Sequence, residues 1–474
     1  MTIAGPTPPT RRSLRETGAV VIIPPAEPPA SGAALSWVDP GTVARPQITA
    51  AIEASPYVPV APDLLAKAPR RSPWRPGVLV PFGIVLALIA AYCTTTLLWP
   101  LSAIPPQASA VAVQPVAATV ATPAWPAQGS AAVAVEGIGG TLSSTGNASP
   151  IASITKLVTT LMVLERMPLA AGEQGPAYRM TAADRDAYIG YQDRGESSLD
   201  VPVGGSLSEL QLLQGTLIGS ANNYAQILAD SIWANDAVFA NAASTWLAAH
   251  GLSDMRIVDP TGIEEGNTAS PADLVALAQR ALANPVIAQI VSTRTIDLPG
   301  AGRVENTNQL LQADPAVVGV KTGSLDGIDN LVAAKDVTIG TTPVRLYAVA
   351  LGQPDAAART ATAQALLNQL ATELQQPPAL ATGTVVGQVT TRWGDTVGIV
   401  TGQDASVVEW NGGAPTTSSE LTIGDGWKAG DDAGTVTLHG PLNTATVPVQ
   451  LAAAVDPPSP WWRLTHPLDL FGLV

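Results

Sequence analysis

The stretch that decides the fold is PIASITKLVTTLMVLER, residues 150–166. Apolar residues recur there at helical spacing, which predicts a buried α-helix over 153–167. Ser153 and Lys156 are three residues apart, so on a helix their side chains share one face, and the helix N-terminus offers backbone N–H groups where an oxyanion would form. The stretch therefore predicts either a serine nucleophile with a lysine base, or an ordinary helix start capped by Ser153.

The use of basic residues favours the chemical interpretation. The chain contains 19 Arg and only five Lys, so a lysine at a motif position is less readily explained as ordinary surface charge. A lysine whose pKa is lowered by burial can act as a base, which an arginine cannot do.

Two further motifs follow Ser153-x-x-Lys156 in the chain. Ser220-Ala221-Asn222 lies in LIGSANNYAQIL, at a break between two helical patterns, and Lys321-Thr322-Gly323 lies in VGVKTGS, at the end of a predicted strand. The ordered trio SxxK, SxN and KTG resembles the penicillin-binding proteins and serine β-lactamases. Over residues 128–375 the flanking phrases are similar to the low-molecular-weight D-alanyl-D-alanine carboxypeptidases, the S11 serine peptidases.

The resemblance implies a role for each motif residue that contacts the reacting bond. Ser153 would be the acylated nucleophile and Lys156 its general base. Ser220 would relay a proton to the leaving amine, and Asn222 would hold Lys156 and the substrate amide in place.

The resemblance also implies the substrate-binding residues. Lys321 would supply fixed positive charge for the terminal carboxylate of the substrate, and Thr322 would hydrogen-bond it. Gly323 would leave room for the substrate backbone along the strand edge. The backbone N–H groups of Ser153 and Ser324 would form the oxyanion hole.

Four other polar positions are less directly tied to the chemistry. Asn223 stands where the family often has Asp, and the first strand lacks the usual Asp and Tyr landmarks. His250 is interpreted as a helix C-terminal residue. Glu264 and Glu265, in DPTGIEEG, either reach the site or belong to a solvated loop.

Composition excludes several other kinds of chemistry. The single cysteine, Cys93, allows no disulfide framework, and the three histidines are scattered rather than set in a ligand pattern, so neither a zinc site nor a histidine-based hydrolase is expected. The family resemblance implies that no cofactor is needed. The net charge of −14 gives no basic surface for nucleic acid.

Residues 77–101, GVLVPFGIVLALIAAYCTTTLLWPL, are uncharged and long enough to cross a bilayer. Four basic residues lie between 67 and 75 and no charge follows until Glu136, which predicts a single-pass membrane protein with a cytoplasmic N-terminus. The alternatives are a signal cleaved near Ala108-Ser109-Ala110 and a buried core helix.

The remaining segments complete an α+β organisation. The expected fold is a β-lactamase/penicillin-binding-protein-like domain, with an antiparallel sheet and a helical cluster, followed by a small all-β domain. The expected segments are a disordered Pro-rich cytoplasmic tail (1–76), the transmembrane helix (77–101), an extracytoplasmic stalk (102–127), the catalytic domain (128–375), the all-β domain (382–456) and a C-terminal tail (457–474). The last contains Trp461 and Trp462, which predict contact either with a membrane surface or with the body of the protein.

By this resemblance the chain would be a membrane-bound carboxypeptidase that removes the terminal D-Ala from peptidoglycan stem peptides, with β-lactams as covalent inhibitors. Transpeptidase and endopeptidase activities share the acyl-enzyme and stay open. A serine β-lactamase is an alternative, although no ExxLN-like phrase lies between SxN and KTG. A non-catalytic cell-wall-binding scaffold with the same fold is another, and the partner of the cytoplasmic tail is unknown.

Overall fold

The structure is a computed structural model that describes residues 76–473. The predicted disordered tail, residues 1–76, lies outside the described residues except for its last position. The helices are α1 (Pro76–Leu98), α2 (Lys156–Arg166), α3 (Ala182–Asp193), α4 (Glu209–Leu217), α5 (Asn222–Asp230), α6 (Asp236–Ala249), α7 (Pro271–Ala283), α8 (Pro285–Val291), α9 (Gln309–Ala313), α10 (Ala356–Glu373), α11 (Pro460–Thr465) and α12 (Pro467–Leu470), with short 3-10 turns at Leu101–Ala103 and Ala152–Thr155.

The strands divide between two large antiparallel sheets and three two-stranded ones. They are β1 (Gln107–Ala110), β2 (Ser130–Val135), β3 (Leu142–Ser143), β4 (Ser149–Pro150), β5 (Ala177–Arg179), β6 (Ser206–Ser208), β7 (Thr268–Ala269), β8 (Thr295–Leu298), β9 (Gly302–Glu305), β10 (Val317–Leu325), β11 (Ile328–Ile339), β12 (Thr342–Gln353), β13 (Val385–Thr390), β14 (Thr396–Thr401), β15 (Thr416–Leu421), β16 (Asp432–His439) and β17 (Thr444–Leu451). The order is β10-β11-β12-β2-β3 in the five-stranded sheet and β1-β13-β14-β17-β16-β15 in the six-stranded sheet.

The five-stranded sheet is covered on both faces, which explains its continuous apolar strands. In β2, Ala131 and Val133 face a core that includes leucines of α10, whereas Ala132 and Ala134 face the larger core built from α2 and α4 to α8. Successive side chains of a strand point to opposite faces, so a strand buried on both sides is apolar throughout. The expected antiparallel sheet with a helical cluster is confirmed, and β10 forms one edge of it.

The six-stranded sheet has its own core of valine, leucine and isoleucine side chains. It also packs against the first domain. Trp410, which is almost fully buried, joins the α10 core and donates a hydrogen bond from Nε1 to Glu373 Oε2 at 2.9 Å.

The segment predicted as a stalk, residues 102–127, is packed rather than free. Strand β1 pairs with β13 in register Gln107 to Thr390, and the Val116 and Ala118 N–H groups donate to the carbonyls of Ala379 and Gly413 at 2.8 and 2.7 Å. Its Pro, Ala and Val composition is typical of a linker, but extended backbone with small apolar side chains also adds readily to a sheet edge.

Helix α1 is apolar along its whole length and, in its most apolar window, has no buried residue. Within the described residues it is the one unbroken helix that is long and apolar enough to cross a membrane. Residues 457–473 form α11 and α12, so the predicted C-terminal tail is largely helical.

Candidate active site

Ser153 lies in the 3-10 turn that leads into α2. The preceding Ala152 has a φ of +53°, which costs a non-glycine residue about 1 kcal/mol. The turn is held from two sides, because the Ile151 N–H donates to the Asn267 carbonyl at 2.9 Å and a Cβ on Gly262 would stand 2.0 Å from the Ala152 carbonyl oxygen. The strained turn therefore fixes Ser153 at the amino end of a fully packed helix.

The Lys156 amine is enclosed by three hydrogen-bond acceptors. Its Nζ is 2.8 Å from Ser153 Oγ, 2.6 Å from Asn222 Oδ1 and 2.6 Å from the Thr261 carbonyl oxygen, and the side chain is fully buried. Burial lowers the pKa of Lys156 from 10.5 to about 7, against the opposing influence of the Asp259 and Glu196 carboxylates. A substantial fraction of the amine is therefore neutral at neutral pH and able to accept the Ser153 proton.

The loop that begins at Asp259 presents the Thr261 carbonyl to Lys156. Asp259 Oδ1 accepts from the N–H groups of Thr261 and Gly262, both at 2.7 Å, and Oδ2 accepts from the Glu264 N–H at 3.0 Å and from Asn267 Nδ2. Burial alone would raise the pKa of Asp259, but these hydrogen bonds lower it below its usual range. The carboxylate thus organises the loop.

The SxN motif lies between α4 and α5. Ser220 has a φ of +59°, which turns the chain sharply, and Asn222 begins α5 with its side chain directed at Lys156. The next residue, Asn223, points away from the lysine, since its amide accepts from the Leu199 N–H at 3.1 Å and donates to the Leu199 carbonyl at 2.8 Å. Asn223 therefore ties the neighbouring loop to α5.

Lys321 lies on β10 and connects the KTG strand to the SxN loop. Its Nζ donates to Ser220 Oγ at 3.0 Å and to the Thr322 carbonyl at 3.0 Å, and Thr322 Oγ1 shares a hydrogen bond of 2.6 Å with Thr307 Oγ1. Burial, together with the nearby charges of Lys156 and Arg359, lowers the pKa of Lys321 well below its ordinary range. The positive charge expected at Lys321 is therefore not fixed, and it would be favoured by a bound carboxylate.

Gly323 is required by the close approach of β10 to the turn that carries the nucleophile. A Cβ at this position would stand 2.6 Å from the Ile151 carbonyl oxygen and 3.2 Å from the Ser153 nitrogen. Besides the room that it is predicted to leave for the substrate backbone, the structure gives a packing reason for this glycine, since any side chain would push β10 away from Ser153.

Ser324 is held by a buried arginine that the sequence analysis did not identify. Arg359, on α10, donates from Nη1 to Ser324 Oγ at 2.8 Å, to the Gly323 carbonyl at 3.1 Å and to Asp329 Oδ1 at 2.6 Å. Ser324 Oγ in turn donates to Asp329 Oδ1 at 2.5 Å. This network fixes the end of β10, where the predicted oxyanion donor lies.

The eight predicted site residues thus form two joined groups. Lys156 contacts Ser153 and Asn222, Lys321 contacts Ser220, and the KTG strand passes beside the Ser153 turn. His250 caps α6, with Nε2 3.3 Å from Glu165 Oε1 at the opposite end of α2.

The loop 259–267 enters the site through a backbone carbonyl rather than through Glu264 or Glu265. Its sequence signal is the Asp-Pro-Thr-Gly phrase, which is typical of a turn that an aspartate side chain organises. Arg359 has no comparable local signal in its helix.

Comparison with known proteins agrees with this geometry. Residues 119–354 match the family model of the S11 peptidases, described as D-alanyl-D-alanine carboxypeptidase. A D-alanyl-D-alanine carboxypeptidase of Mycobacterium tuberculosis is 32% identical over 37% of this chain and 58% of its own length, and one of Bacillus subtilis is 27% identical over 36% and 44%. A D-alanyl-D-alanine endopeptidase of Escherichia coli is 28% identical over 42% and 62%. The chain therefore spans about half the length of the curated relatives it matches.

Two solved structures also align with the chain. The DD-transpeptidase of Streptomyces K15 covers 53% of this chain and 98% of its own, at 24% identity and a TM-score of 0.45. A D-alanyl-D-alanine carboxypeptidase from Mycobacterium tuberculosis covers 55% and 96%, at 24% identity and a TM-score of 0.46. On the family match and the curated relatives, residues 119–354 belong to the S11 family of D-alanyl-D-alanine carboxypeptidases.

Proposed function

We propose that the protein is a serine D-Ala-D-Ala carboxypeptidase that removes the terminal D-Ala from peptidoglycan stem peptides. The observation that carries the proposal is the distance of 2.8 Å between Ser153 Oγ and the Nζ of a fully buried lysine whose pKa is about 7. An activated serine beside a neutral amine is the arrangement that acyl transfer requires.

In the first step, neutral Lys156 takes the Ser153 hydroxyl proton as Oγ attacks the carbonyl carbon of the penultimate D-Ala. The bond to the terminal D-Ala nitrogen then breaks, and that nitrogen receives, through Ser220, the proton that Lys156 took up, which leaves Lys156 neutral again. The Ser220 hydroxyl suits this role because Lys321 donates to it at 3.0 Å. Water next attacks the acyl-Ser153 ester, releasing the shortened peptide and returning the proton to Ser153.

The substrate would bind along the edge of β10 as an additional strand. Its terminal carboxylate would accept hydrogen bonds from Lys321 and Thr322, and its approach would favour the charged form of Lys321. The developing oxyanion would accept from the N–H groups of Ser153 and Ser324. Asn222 would hold both Lys156 and the substrate amide. The same groups would react with β-lactams, which carry a strained amide and a carboxylate.

We further propose that α1 anchors the chain as a single-pass membrane protein, with residues 1–76 in the cytoplasm and the catalytic domain outside. The anchor is supported by the length of α1 and the exposure of its most apolar window, and the orientation by the basic residues at 67–75. Peptidoglycan substrates lie on that outer side. The all-β domain, residues 382–456, would then hold the catalytic domain relative to the anchor.

The test is release of D-Ala from a synthetic acyl-D-Ala-D-Ala peptide by the full chain in detergent. We expect release by the wild type and by Ser292→Ala, a surface-serine control, and none by Ser153→Ala. A folded wild type that hydrolyses penicillin repeatedly but releases no D-Ala would identify a β-lactamase. If a folded wild type reacts with neither substrate, the protein is a non-catalytic cell-wall-binding scaffold and not an enzyme.

A further inference from the structure

The C-terminal helices lie against the outer end of α1. The Tyr92 hydroxyl donates to the Leu464 carbonyl at 2.6 Å, and Arg463 Nη1 donates to the carbonyls of Leu97 and Trp99 at 3.2 and 2.8 Å. The last four carbonyls of a helix have no partner within the helix, so Arg463 satisfies acceptors that would otherwise need water or another side chain. Residues 364 to 372 positions apart are therefore joined where α1 ends.

Aromatic side chains extend this junction to the all-β domain. Trp99 meets Phe471 edge to face, with ring centroids 4.7 Å apart, and Trp462 packs on Trp393, which in turn packs on Trp427. The Trp393 indole N–H donates to the Asp456 carbonyl at 2.7 Å. The chain that leaves α1 is thus fixed to the six-stranded sheet both by this aromatic cluster and by β1.

Three large apolar side chains of this C-terminal segment are mostly exposed. Trp461, Leu468 and Leu473 are 74%, 56% and 70% exposed. Leu98, at the end of α1, is similarly exposed, at 77%. Tryptophan is enriched where a membrane meets water, since its ring is apolar and its N–H is polar.

The position of this surface along α1 indicates what covers it. A helix of 23 residues is about 34 Å long, slightly more than the hydrocarbon core of a bilayer at about 30 Å. Tyr92, which holds Leu464, is six residues before the helix end, or about 9 Å along the axis. The headgroup region adds about 5 to 7 Å on each side. With α1 centred in the bilayer, Tyr92 would lie about 7 Å inside the outer hydrocarbon boundary and Leu98 about 2 Å beyond it, so α11 lies at the boundary between hydrocarbon and headgroups.

We propose that α11 and α12 form a second membrane contact, in the outer lipid interface, that clamps the all-β domain to the end of α1. This inference rests on the proposed role of α1 as the anchor. Arg463 and the aromatic cluster supply the clamp, while Trp461, Leu468 and Leu473 enter the interface. The consequence is that the catalytic domain is held in one orientation above the membrane instead of moving on a flexible tether.

The test uses nitroxide labels on the full chain in liposomes, with collision rates measured for oxygen and for a water-soluble nickel chelate. A label on the native Cys93 reports whether α1 is in the bilayer. A label on Trp461→Cys in a Cys93→Ser background reports α11, and Ile189→Cys in the same background is the matched control, because Ile189 is an exposed apolar residue of the catalytic domain.

We expect the label at 93 to collide mainly with oxygen, the label at 189 mainly with nickel, and the label at 461 to show interfacial depth. A label at 461 that behaves like the one at 189 while 93 lies in the bilayer would overturn the second contact and leave the anchor intact. A water-exposed label at 93 would overturn the anchor and the contact together.

A second measurement tests the clamp itself. Labels at native Cys93 and Ile189→Cys should give one narrow interlabel distance in pulsed dipolar spectra. Adding Arg463→Gln should abolish that single narrow distance and leave a broad distribution. A broad distribution already present before Arg463 is changed would refute the clamp.

Discussion

The rate of Ser153 acylation should rise with pH through a value of about 7, because only the neutral Lys156 amine can accept the serine proton. At pH 7 about half of Lys156 would be neutral, whereas a lysine at its ordinary pKa of 10.5 would be neutral in only about 1 molecule in 3,000. Burial therefore raises the active fraction about 1,600-fold. Below the pKa the rate should fall tenfold per pH unit, so acylation at pH 5 should be about 100-fold slower than the alkaline plateau.

The assay is stopped-flow acylation by a fluorescent penicillin at saturating concentration, from pH 5 to pH 9. Saturation separates the chemical step from binding of the penicillin carboxylate near Lys321. Loss of the Lys321 proton as pH rises would weaken that binding and would otherwise make the observed rate fall at the alkaline end. A rate that does not change between pH 5 and 8, or one that continues to rise toward pH 10, would refute the assignment of Lys156 as a buried neutral base.

Three substitutions test other parts of the structure. Gly323→Ala should cost about 1–3 kcal/mol of unfolding free energy and slow acylation about 100-fold, because the added Cβ would stand 2.6 Å from a backbone carbonyl oxygen. The control Gly398→Ala should change neither the stability nor the rate, because the nearest atom to its Cβ is 3.8 Å away. Burial raises the pKa of Glu209 from 4.5 to about 7, so the stability that its protonated form contributes is fully present below pH 4.5 and is lost as pH rises through 7. In chemical denaturation, the unfolding free energy of Glu209→Gln should therefore increase by about 3 kcal/mol relative to the wild type between pH 4.5 and 8. A difference that does not depend on pH would contradict this. Arg359→Ala should lower the unfolding free energy by about 3 kcal/mol, because the buried Asp329 carboxylate loses its partner, and should slow acylation, because Ser324 is no longer held. The control Arg345→Ala removes an exposed ion pair and should cost under about 1 kcal/mol in the same denaturation assay.

The parts of the site that the sequence predicted are those set by local geometry. Ser153 and Lys156 share a helix, so their spacing is enough to place them together. The KTG phrase lies on an apolar strand that could be predicted from its composition. These features need no knowledge of which distant segments meet.

The parts that could not be predicted depend on tertiary contacts. The Thr261 carbonyl reaches Lys156 only because Asp259 folds its loop, and a backbone carbonyl carries no residue-specific signal. Arg359 occupies an ordinary helical position 35 residues after Ser324, and only the packing of α10 on the sheet brings the two together.

The segment expected to be a stalk, residues 102–127, shows how tertiary pairing overrides local composition. The predicted stalk joins the six-stranded sheet through β1, since an unpaired sheet edge accepts any extended segment with compatible side chains.

If Ser153 is the nucleophile, intact-mass spectrometry of the full chain after brief exposure to a penicillin will show a covalent adduct on that residue. We expect one added penicillin mass on the wild type, stable over minutes, and an unchanged mass for Ser153→Ala. An unmodified wild type that is folded, or an equal adduct on Ser153→Ala, would contradict it.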